Sequence, residues 1–522
     1  MEKINTGFLK KCIIKSVLLV TLVFALFSCK EKAKKLNEIA KAEVLEKQPN
    51  FIFIMVDDLG KEWFPSYGAT EIITPKIDAL VNTSIKFNNV YSMPQCTPSR
   101  VALITGQYPY SNGWVNHYDV PRWGHGANFD ADKNPSFAKA LQNAGYKTCI
   151  AGKWQINDFR IEPNAMQKAG FDAFCMWTGY ESGNAPSDNR YWDPYIITKE
   201  GRKTYEGEFG PDIFSDFVID FMNQNNENPF CIYYPMVLTH SPFVHTPNEP
   251  EAKPKYEKHL AMVRYTDFII GKILDNLEQT GLDDNTYLVF TTDNGTSPSI
   301  IGKRNGKYIR GGKAYLTENG INSPFIVKTP DNKHFTTNAL VDFTDVLPTL
   351  LDLAGVEQQP EYKIDGHSFA NVLTDKATKS ERDYMLSMGG LPAHINKEGW
   401  LENAMQFRDR VLRNEKYKVY VDTLQNIHRL YNLENDPYET ENLIGDAEMK
   451  PVLSEFKTQV DAFPKLDNNP TYTNLPGLPT DVKTEFLDKA VNRLKHRKTN
   501  MMGLATEEQF LKLSQHAVET KK

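Results

Sequence analysis

The chain has few cysteines and no surplus of basic residues. Its 522 residues include only six cysteines, which lie far apart and lack the spacing of a disulfide framework. The 60 lysines and arginines are outnumbered by 66 aspartates and glutamates, which gives a formal net charge of -6. These numbers exclude a disulfide-dense scaffold and leave no basic field to attract nucleic acid. The length allows a large hydrophobic core.

One apolar run stands out near the N-terminus. Residues 16–28 are apolar and follow four lysines, and the run is shorter than the about 20 residues that a spanning helix needs. We therefore predict a signal peptide over residues 1–28. Leu26-Phe27-Ser28-Cys29 resembles a bacterial lipobox, which predicts lipidation of Cys29, whereas an ordinary secretory signal is the alternative. Residues 29–48 would then form a tether, and the protein would be an exported lipoprotein of a bacterial cell envelope.

Two apolar segments end in oxygen-bearing side chains. Residues 50–60 read as a buried strand followed by Asp57 and Asp58, and residues 286–295 repeat the pattern with Asp293 and Asn294. Each pair alone is also typical of a turn or a helix cap. Four oxygen ligands suit Ca²⁺ or Mg²⁺ better than zinc, and we favour calcium.

Cys96 begins the segment Cys96-Thr97-Pro98-Ser99-Arg100. This pattern is neither a metal clip nor a disulfide motif, and taken alone it is compatible with a buried thiol beside a turn. Further motifs follow in the chain, namely Gly152-Lys153-Trp154, His240-Ser241-Pro242 and Gly311-Gly312-Lys313. Together with the two acidic segments, this order resembles the type I sulfatases of the alkaline phosphatase superfamily over roughly residues 50 to 445.

The resemblance implies that a maturation enzyme oxidises Cys96 to formylglycine. One hydroxyl of the aldehyde hydrate would attack sulfur, and the other would then collapse to the aldehyde and expel sulfate. Asp57, Asp58, Asp293 and Asn294 would hold the metal together with the modified residue 96. Arg100 would hold that side chain. The sulfate would be bound by Lys153 and Lys313, and His240 would assist the departing sugar oxygen.

Two positions depart from the family pattern. Gln155 stands where the family usually has a histidine, and glutamine hydrogen-bonds but does not titrate. His117 is an alternative candidate for the base. His245 is a rival candidate for the role of His240, but only His240 fits the motif. Asn322 replaces an arginine and concerns packing or substrate fit.

The remaining sequence alternates strands and helices. A helix over 137–145, a strand over 148–151 and a strand over 230–237 indicate an α/β fold with a large, mostly parallel central sheet flanked by helices, which is alkaline-phosphatase-like by resemblance. We predict a catalytic domain over 49–373, a smaller subdomain with an antiparallel sheet over 374–462, and a helical extension over 463–522 with a basic helix over 483–512. Several aromatics are candidates for stacking on sugar rings: Tyr180, Tyr191, Trp192, Tyr195 and Tyr205.

The sequence thus predicts a sulfatase that acts on a sulfated carbohydrate, with algal polymers such as ulvan, carrageenan or fucoidan as candidates. Its expected partners are this substrate, the maturation enzyme and, through the lipid, a membrane, but not nucleic acid. A phosphoester or phosphonate hydrolase of the same superfamily is an alternative. A catalytically silent polysaccharide-binding lipoprotein is another, because of Gln155.

Overall fold

The computed structural model of the protein describes residues 48–113, 126–179, 181, 184–374, 377–389, 394–395, 401–402, 407–467, 473–475 and 503–518. The predicted signal peptide, Cys29 and nearly all of the tether lie outside these residues, as do His117 and Tyr180. Asn50–Lys522 form one compact unit. None of the helices in the described ranges combines the length and the apolar character of a membrane-spanning segment.

The strands follow one another along the whole described chain. They are β1 Asn50–Val56, β2 Ile85–Tyr91, β3 Gly126–Asn128, β4 Lys147–Lys153, β5 Ala173–Trp177, β6 Tyr195–Thr198, β7 Gly201–Thr204, β8 Phe230–Pro235, β9 Thr286–Thr292, β10 Ile301–Arg304, β11 Lys307–Arg310, β12 Asn322–Lys328, β13 Phe335–Asp342, β14 Met385–Met388, β15 His394–Ile395, β16 Leu401–Glu402, β17 Arg410–Arg413, β18 Tyr417–Val421, β19 Ile427–Asn432, β20 Thr473–Leu475 and β21 Leu504–Ala505.

Several of the longer helices connect strands of the large sheet along the chain. The α-helices are α1 Pro75–Val81, α2 Cys96–Thr105, α3 Pro109–Asn112, α4 Phe137–Asn143, α5 Ala165–Lys168, α6 Gly210–Gln224, α7 Lys255–Thr280, α8 Glu318–Ile321, α9 Val346–Ala354, α10 Ala370–Leu373, α11 Lys450–Ala462 and α12 Glu507–Val518. Short 3-10 turns occur at Lys61–Trp63, Pro65–Tyr67, Ala185–Asp188, Asp283–Asn285, Phe343–Asp345 and Ala447–Met449.

A 10-stranded sheet forms the centre of the molecule, in the order β13-β2-β12-β9-β1-β8-β4-β5-β6-β7. The block β9-β1-β8-β4-β5 is parallel throughout. β12 runs antiparallel to both β9 and β2, while β6 and β7 complete the other edge as antiparallel strands. This arrangement confirms the predicted mostly parallel sheet.

Helices cover both faces of this sheet. β1 is buried on both sides, so its side chains alternate between two hydrophobic clusters. One cluster contains Ile54 with Phe214 of α6 and Ile269 of α7. The other contains Phe53 with Leu103 of α2. The result is a three-layer α/β/α arrangement, in which the continuous apolar pattern of β1 is explained by contacts on both faces.

A smaller antiparallel sheet, in the order β14-β17-β18-β19, lies in the predicted C-terminal subdomain. Its apolar face packs under α11, where Phe456 and Val460 join Leu412 and Val419 in one cluster. The position of the subdomain boundary at residue 374 stays a prediction.

The predicted elements agree with the structure within one or two residues at most ends. The strand expected over 148–151 is Lys147–Lys153, and the one expected over 230–237 is Phe230–Pro235. The helix expected to continue to residue 512 is wrong at Leu504–Ala505, which is a strand paired with β11, and α12 follows it. Residues 476–502 lie outside the described part.

Candidate active site

One edge of the central sheet collects the motif residues. β1, β9, β8 and β4 are parallel neighbours, so their carboxyl ends meet at the same edge, where α/β proteins build their sites. β2 points the same way, because β2 and β9 are both antiparallel to β12. The residues delivered there are Asp57 and Asp58 after β1, Asp293 and Asn294 after β9, Lys153 at the end of β4, His240 after β8, and Cys96 after β2.

The turn after β1 is held by its neighbours on both sides. The backbone N–H of Asp57 donates to the carbonyl of Leu238 at 2.7 Å. Asp58 adopts a left-handed backbone with a φ of 62°, and its N–H donates to Oδ1 of Asp293 at 3.1 Å. Asp tolerates this conformation better than most residues do. The turn therefore fixes both carboxylates against the loop that follows β9.

Two buried cations lie against the acidic residues. Arg100 donates from Nε and Nη2 to Oδ2 of Asp293 at 3.1 and 2.7 Å, and from Nη1 to the carbonyl of Lys153 at 3.0 Å. Nζ of Lys153 donates to Oδ2 of Asp57 at 2.6 Å, with both side chains fully buried. The arginine fork thus joins the ends of β9 and β4, as its planar geometry allows.

Cys96 is the first residue of α2 and is buried. Its Sγ donates to Oε1 of Gln155 at 3.4 Å. The positive end of the helix macrodipole at this position favours negative charge on a nucleophile or a sulfate. Gln155, in the place of the family's histidine, therefore contacts the predicted nucleophile directly.

Asp58 connects the remaining predicted residues. Its Oδ2 accepts from Nζ of Lys313 at 2.6 Å and lies 3.6 Å from Nε2 of His240. Its Oδ1 accepts from Nδ2 of Asn294 at 2.9 Å. Lys313 therefore reaches the site from the loop between β11 and α8, as the motif predicts.

The charges at this edge shift the pKa values of the acids in opposite directions. Burial alone would raise the pKa of Asp57, but the neighbouring cations, Lys153 first and Arg100 as well, outweigh it and hold the pKa well below its ordinary value. Burial, and then the Asp57 carboxylate, raises the pKa of Asp293 to about 7. Burial, and then the charge of Lys313, lowers the pKa of His240 well below its usual range. The environment thus moves the pKa values of these two neighbouring carboxyl groups apart.

The donor set fits a hard divalent cation. Ligand atoms of Asp57, Cys96 and Asp293 all lie within 4.8 Å of one another, and so do those of Asp57, Asp58 and His240. Within the described part of the chain, no hydrogen-bond donor reaches the buried Oδ1 atoms of Asp57 and Asn294. Buried oxygens without donors are what a bound cation would satisfy, and an oxygen set matches Ca²⁺ or Mg²⁺.

Thr296 is a supporting residue that the motif analysis missed, although it directly follows the Asp-Asn-Gly segment. Its Oγ1 accepts from the Gly60 N–H at 2.8 Å and from Nε1 of Trp63 at 2.9 Å, and donates to Oε1 of Glu62 at 2.6 Å. One hydroxyl thereby joins the loops after β1 and β9. Gly295 is required beside it, because a Cβ there would lie 1.9 Å from the carbonyl oxygen of Asn319.

Arg190 also reaches the site without any sequence signal. It is buried, stacks over Trp177 at 4.5 Å, and its Nη2 lies 2.9 Å from Nδ1 of His240. His240 therefore directs Nδ1 to the protein and Nε2 to the site. The rival His245 instead stacks on Trp192, with ring centroids 5.1 Å apart.

The structure corrects one of the aromatic candidates. Tyr191 is buried and donates to the carbonyls of Val237 and His240, so it has no free face for a sugar. Trp192 is only partly buried, and it contacts His245 and, at 4.9 Å between ring centroids, Phe209, so its role stays a prediction. Lys203 lies over Tyr205 at 3.9 Å.

Asn322 takes part in packing. It accepts from Nζ of Lys61 at 2.5 Å and donates to Glu318 at 2.9 Å.

Two family models match the chain. The sulfatase family model matches residues 49–356, and the model of the N-sulphoglucosamine sulphohydrolase C-terminal region matches residues 307–465. An ulvan-active sulfatase of Formosa agariphila is 23% identical over 84% of this chain and 84% of its own length. An N-acetylglucosamine-6-O-sulfatase of Bacteroides thetaiotaomicron is 24% identical over 81% of this chain and 88% of its own.

A solved structure shares the fold. Ps i-CgsB in complex with k-i-k-neocarrahexaose superposes with a TM-score of 0.67 at 22% identity, over 87% of this chain and 99% of that chain. The sulfatase model covers more than half of the sequence, and the residues that carry the motifs meet at one sheet edge. The chain therefore belongs to the sulfatase family and is a sulfuric ester hydrolase.

Proposed function

We propose that the protein hydrolyses sulfate esters of a carbohydrate, and that an algal-type sulfated polysaccharide such as ulvan, or its oligosaccharides, is the substrate class. The observation that carries the reaction is the placement of Cys96 at the start of α2, with Asp57 and Asp293 within 4.8 Å. The names of the ulvan-active relative and of the N-acetylglucosamine-6-O-sulfatase support the carbohydrate class.

The nucleophile of this proposal is residue 96 after oxidation to formylglycine. A thiol would give a sulfur-linked product, whereas an aldehyde hydrate offers one hydroxyl to attack and a second to expel sulfate. Gln155 lies 3.4 Å from Sγ of Cys96 and would orient the modified side chain by a hydrogen bond. Arg100 contributes to the same site by donating a hydrogen bond to Asp293.

A divalent cation, calcium by preference, would be held by Asp57, Asp58, Asp293, Asn294 and residue 96. Such an ion would offset the negative charge of the sulfate and of the nucleophile. Lys153 and Lys313 contact this acidic set, at 2.6 Å from Asp57 and Asp58 respectively. Each ammonium would also bind a non-bridging sulfate oxygen, where developing charge is stabilised in a dry site.

His240 would assist the leaving group. Its Nε2 faces the site, while Nδ1 is oriented by Arg190. In the overall reaction the bond between sulfur and the sugar oxygen breaks, water supplies the oxygen of the free sulfate, and the sugar oxygen receives a proton. Nε2 is the atom placed to hydrogen-bond the sugar oxygen as it receives that proton.

The experiment that tests this function is sulfate release from a panel of sulfated algal polysaccharides and their oligosaccharides, beside matched phosphate and phosphonate esters. The mature protein from its native host is compared with Cys96→Ala, which removes the proposed nucleophile; circular dichroism checks that the variant is folded. We expect sulfate from at least one polymer with the native protein and none with the variant. Faster turnover of phosphorus esters, or binding of polymer without turnover, would replace the proposal with one of its two alternatives.

We further propose that the protein is exported and anchored through lipid on Cys29. The lipobox-like Leu26-Phe27-Ser28-Cys29 after a short apolar run supports this. Fractionation of the native host checks it: the protein should be found with the membranes, and Cys29→Ala should abolish the lipid-bearing form. A wild-type protein without lipid at residue 29 would contradict the proposal.

A further inference from the structure

We propose that residues 503–518, named here the C-terminal clamp, hold Lys313 in position by completing the β10–β11 hairpin that leads into its loop. The role of Lys313 as a sulfate ligand belongs to the proposed function, on which this inference rests. Both family matches end at or before residue 465, so neither accounts for this segment.

The clamp extends the hairpin into a three-stranded sheet, in the order β10-β11-β21. Tyr308 and Ile309 of β11 pair with Ala505 and Leu504. The N–H of Arg310 donates to the carbonyl of Gly503 at 3.0 Å. Without the clamp, β11 would be an edge strand with unpaired backbone groups.

Side chains of α12 fix this pairing from one side. Phe510 is 8% exposed and packs between Tyr308, with centroids 5.0 Å apart, and Tyr256 of α7, at 5.9 Å. The hydroxyl of Tyr308 donates to Glu507 at 3.0 Å, and Nη2 of Arg310 donates to Oε1 of Gln509 at 3.1 Å. The clamp thus binds both a backbone edge and the side chains of β11.

Lys313 lies three residues after Arg310, the last residue of β11, so a restraint on the hairpin also limits the position of Lys313. Nη1 of Arg310 donates to the carbonyl of Pro298 at 3.2 Å. The N–H of Gly311 donates to Ile300 and that of Lys313 to Thr296, both at 3.0 Å. These acceptors lie two to six residues after Asn294, in the segment that leaves the predicted metal ligands, so the clamp would hold the lysine loop against that segment.

The other side of the hairpin contacts the first ligand loop. Gly302 of β10 lies against Glu62 and Trp63, which follow Asp57 and Asp58, and a Cβ there would meet Glu62 at 2.8 Å. The hairpin is therefore packed between the clamp and the loop after β1. Phe510 and Gln509 are positioning residues, since they act on Lys313 through Arg310 and the hairpin.

Hydrogen exchange tests the clamp directly in the full-length, mature protein. Phe510→Ala should speed amide exchange at residues 310–314 relative to wild type. Leu511→Ala, on the same helix with its side chain 41% exposed, is the matched control and should leave exchange there unchanged. Unchanged exchange at 310–314 in Phe510→Ala would overturn the proposal, whatever the activity of the protein.

A double-mutant cycle tests the consequence for the reaction. We expect Phe510→Ala to lower kcat/KM for sulfate release about tenfold, mainly by raising KM, and to add little in a Lys313→Ala background. An equal loss in both backgrounds would show a general structural role and overturn the link to Lys313. If the wild type released no sulfate at all, the proposed function would fail, while the exchange result would still decide the clamp.

Discussion

Nζ of Lys153 lies 2.6 Å from Oδ2 of Asp57, and both side chains are fully buried. Each charge compensates the other in a place where an isolated ion is costly. The pair also adjoins Arg100, whose Nη2 is 3.7 Å from Oδ1 of Asp57. We therefore expect the pair to serve both the stability of the sheet edge and the proposed reaction, and substitution can separate these two roles.

Lys153→Met should lower both activity and stability. It leaves the Asp57 carboxylate without its closest cation, which costs about 3–5 kcal/mol of unfolding free energy for a buried pair. It also removes the proposed sulfate ligand, so kcat should fall on the order of 10²–10³-fold. The double variant Asp57→Asn/Lys153→Met should recover much of the stability and none of the activity. Denaturant unfolding and sulfate release measure the two effects, and recovery of activity in the double variant would contradict the assignment.

Removal of divalent metal should abolish turnover reversibly. The oxygen donors of Asp57, Asp58, Asp293 and Asn294 suit calcium, so an EGTA-treated protein should regain activity with Ca²⁺ and less with Mg²⁺. Calcium at 100 times its dissociation constant should stabilise the fold by roughly 2.7 kcal/mol, visible as a higher Tm. Recovery with zinc alone would exclude the proposed ligand set.

Gln155→His should raise kcat and introduce a new pH dependence. Gln155 has a φ of 64°, a conformation in which histidine is enriched, so the substitution causes little strain. A titrating side chain beside residue 96 can accept the proton of the hydrate, so kcat should fall below roughly pH 6.5 in the variant. Gln155→Ala is the control, and its kcat should not show this fall at low pH. A variant with unchanged kcat and pH profile would show that the proton is handled elsewhere.

His259 should make the fold sensitive to acid. It is fully buried on α7 between Trp63 and Phe243, with ring centroids at 4.5 and 5.1 Å, and burial lowers its pKa from 6.5 to about 3. Between these values the unfolded chain binds a proton that the folded chain does not. Stability is therefore full above pH 6.5 and falls as the pH drops towards 3, by up to roughly 5 kcal/mol. In denaturant unfolding, the free energy of unfolding should fall less steeply with decreasing pH in His259→Leu than in the wild type. An unchanged pH dependence would show that His259 is not the cause of the acid sensitivity.

The sequence allows prediction of the centre of the site because local patterns determine it. Asp57 and Asp293 follow β-rich apolar runs that are typical of buried parallel strands, and the carboxyl ends of such strands meet. The sulfatase-like order of motifs then places Lys153, His240 and Lys313. The structure brings all of these residues to one edge of the sheet.

Other features depend on contacts between distant segments. Arg190 reaches His240 across 50 positions of the chain, and no residue pattern near it signals this. Leu504 pairs with Ile309 although the local sequence favours helix, because an open strand edge outweighs weak helix propensity over two residues. Tyr191 is an aromatic residue of the kind that stacks on sugars, but its neighbours bury it.

Peptide mass spectrometry across Cys96, on protein isolated from its native host, tests the central claim most directly. The account predicts that the thiol side chain is replaced by an aldehyde, and that a carbonyl-reactive probe labels the same peptide. The preparation that carries this change should release sulfate, and its activity should rise with the fraction converted. An unmodified cysteine at residue 96 in native, active protein would contradict the formylglycine mechanism.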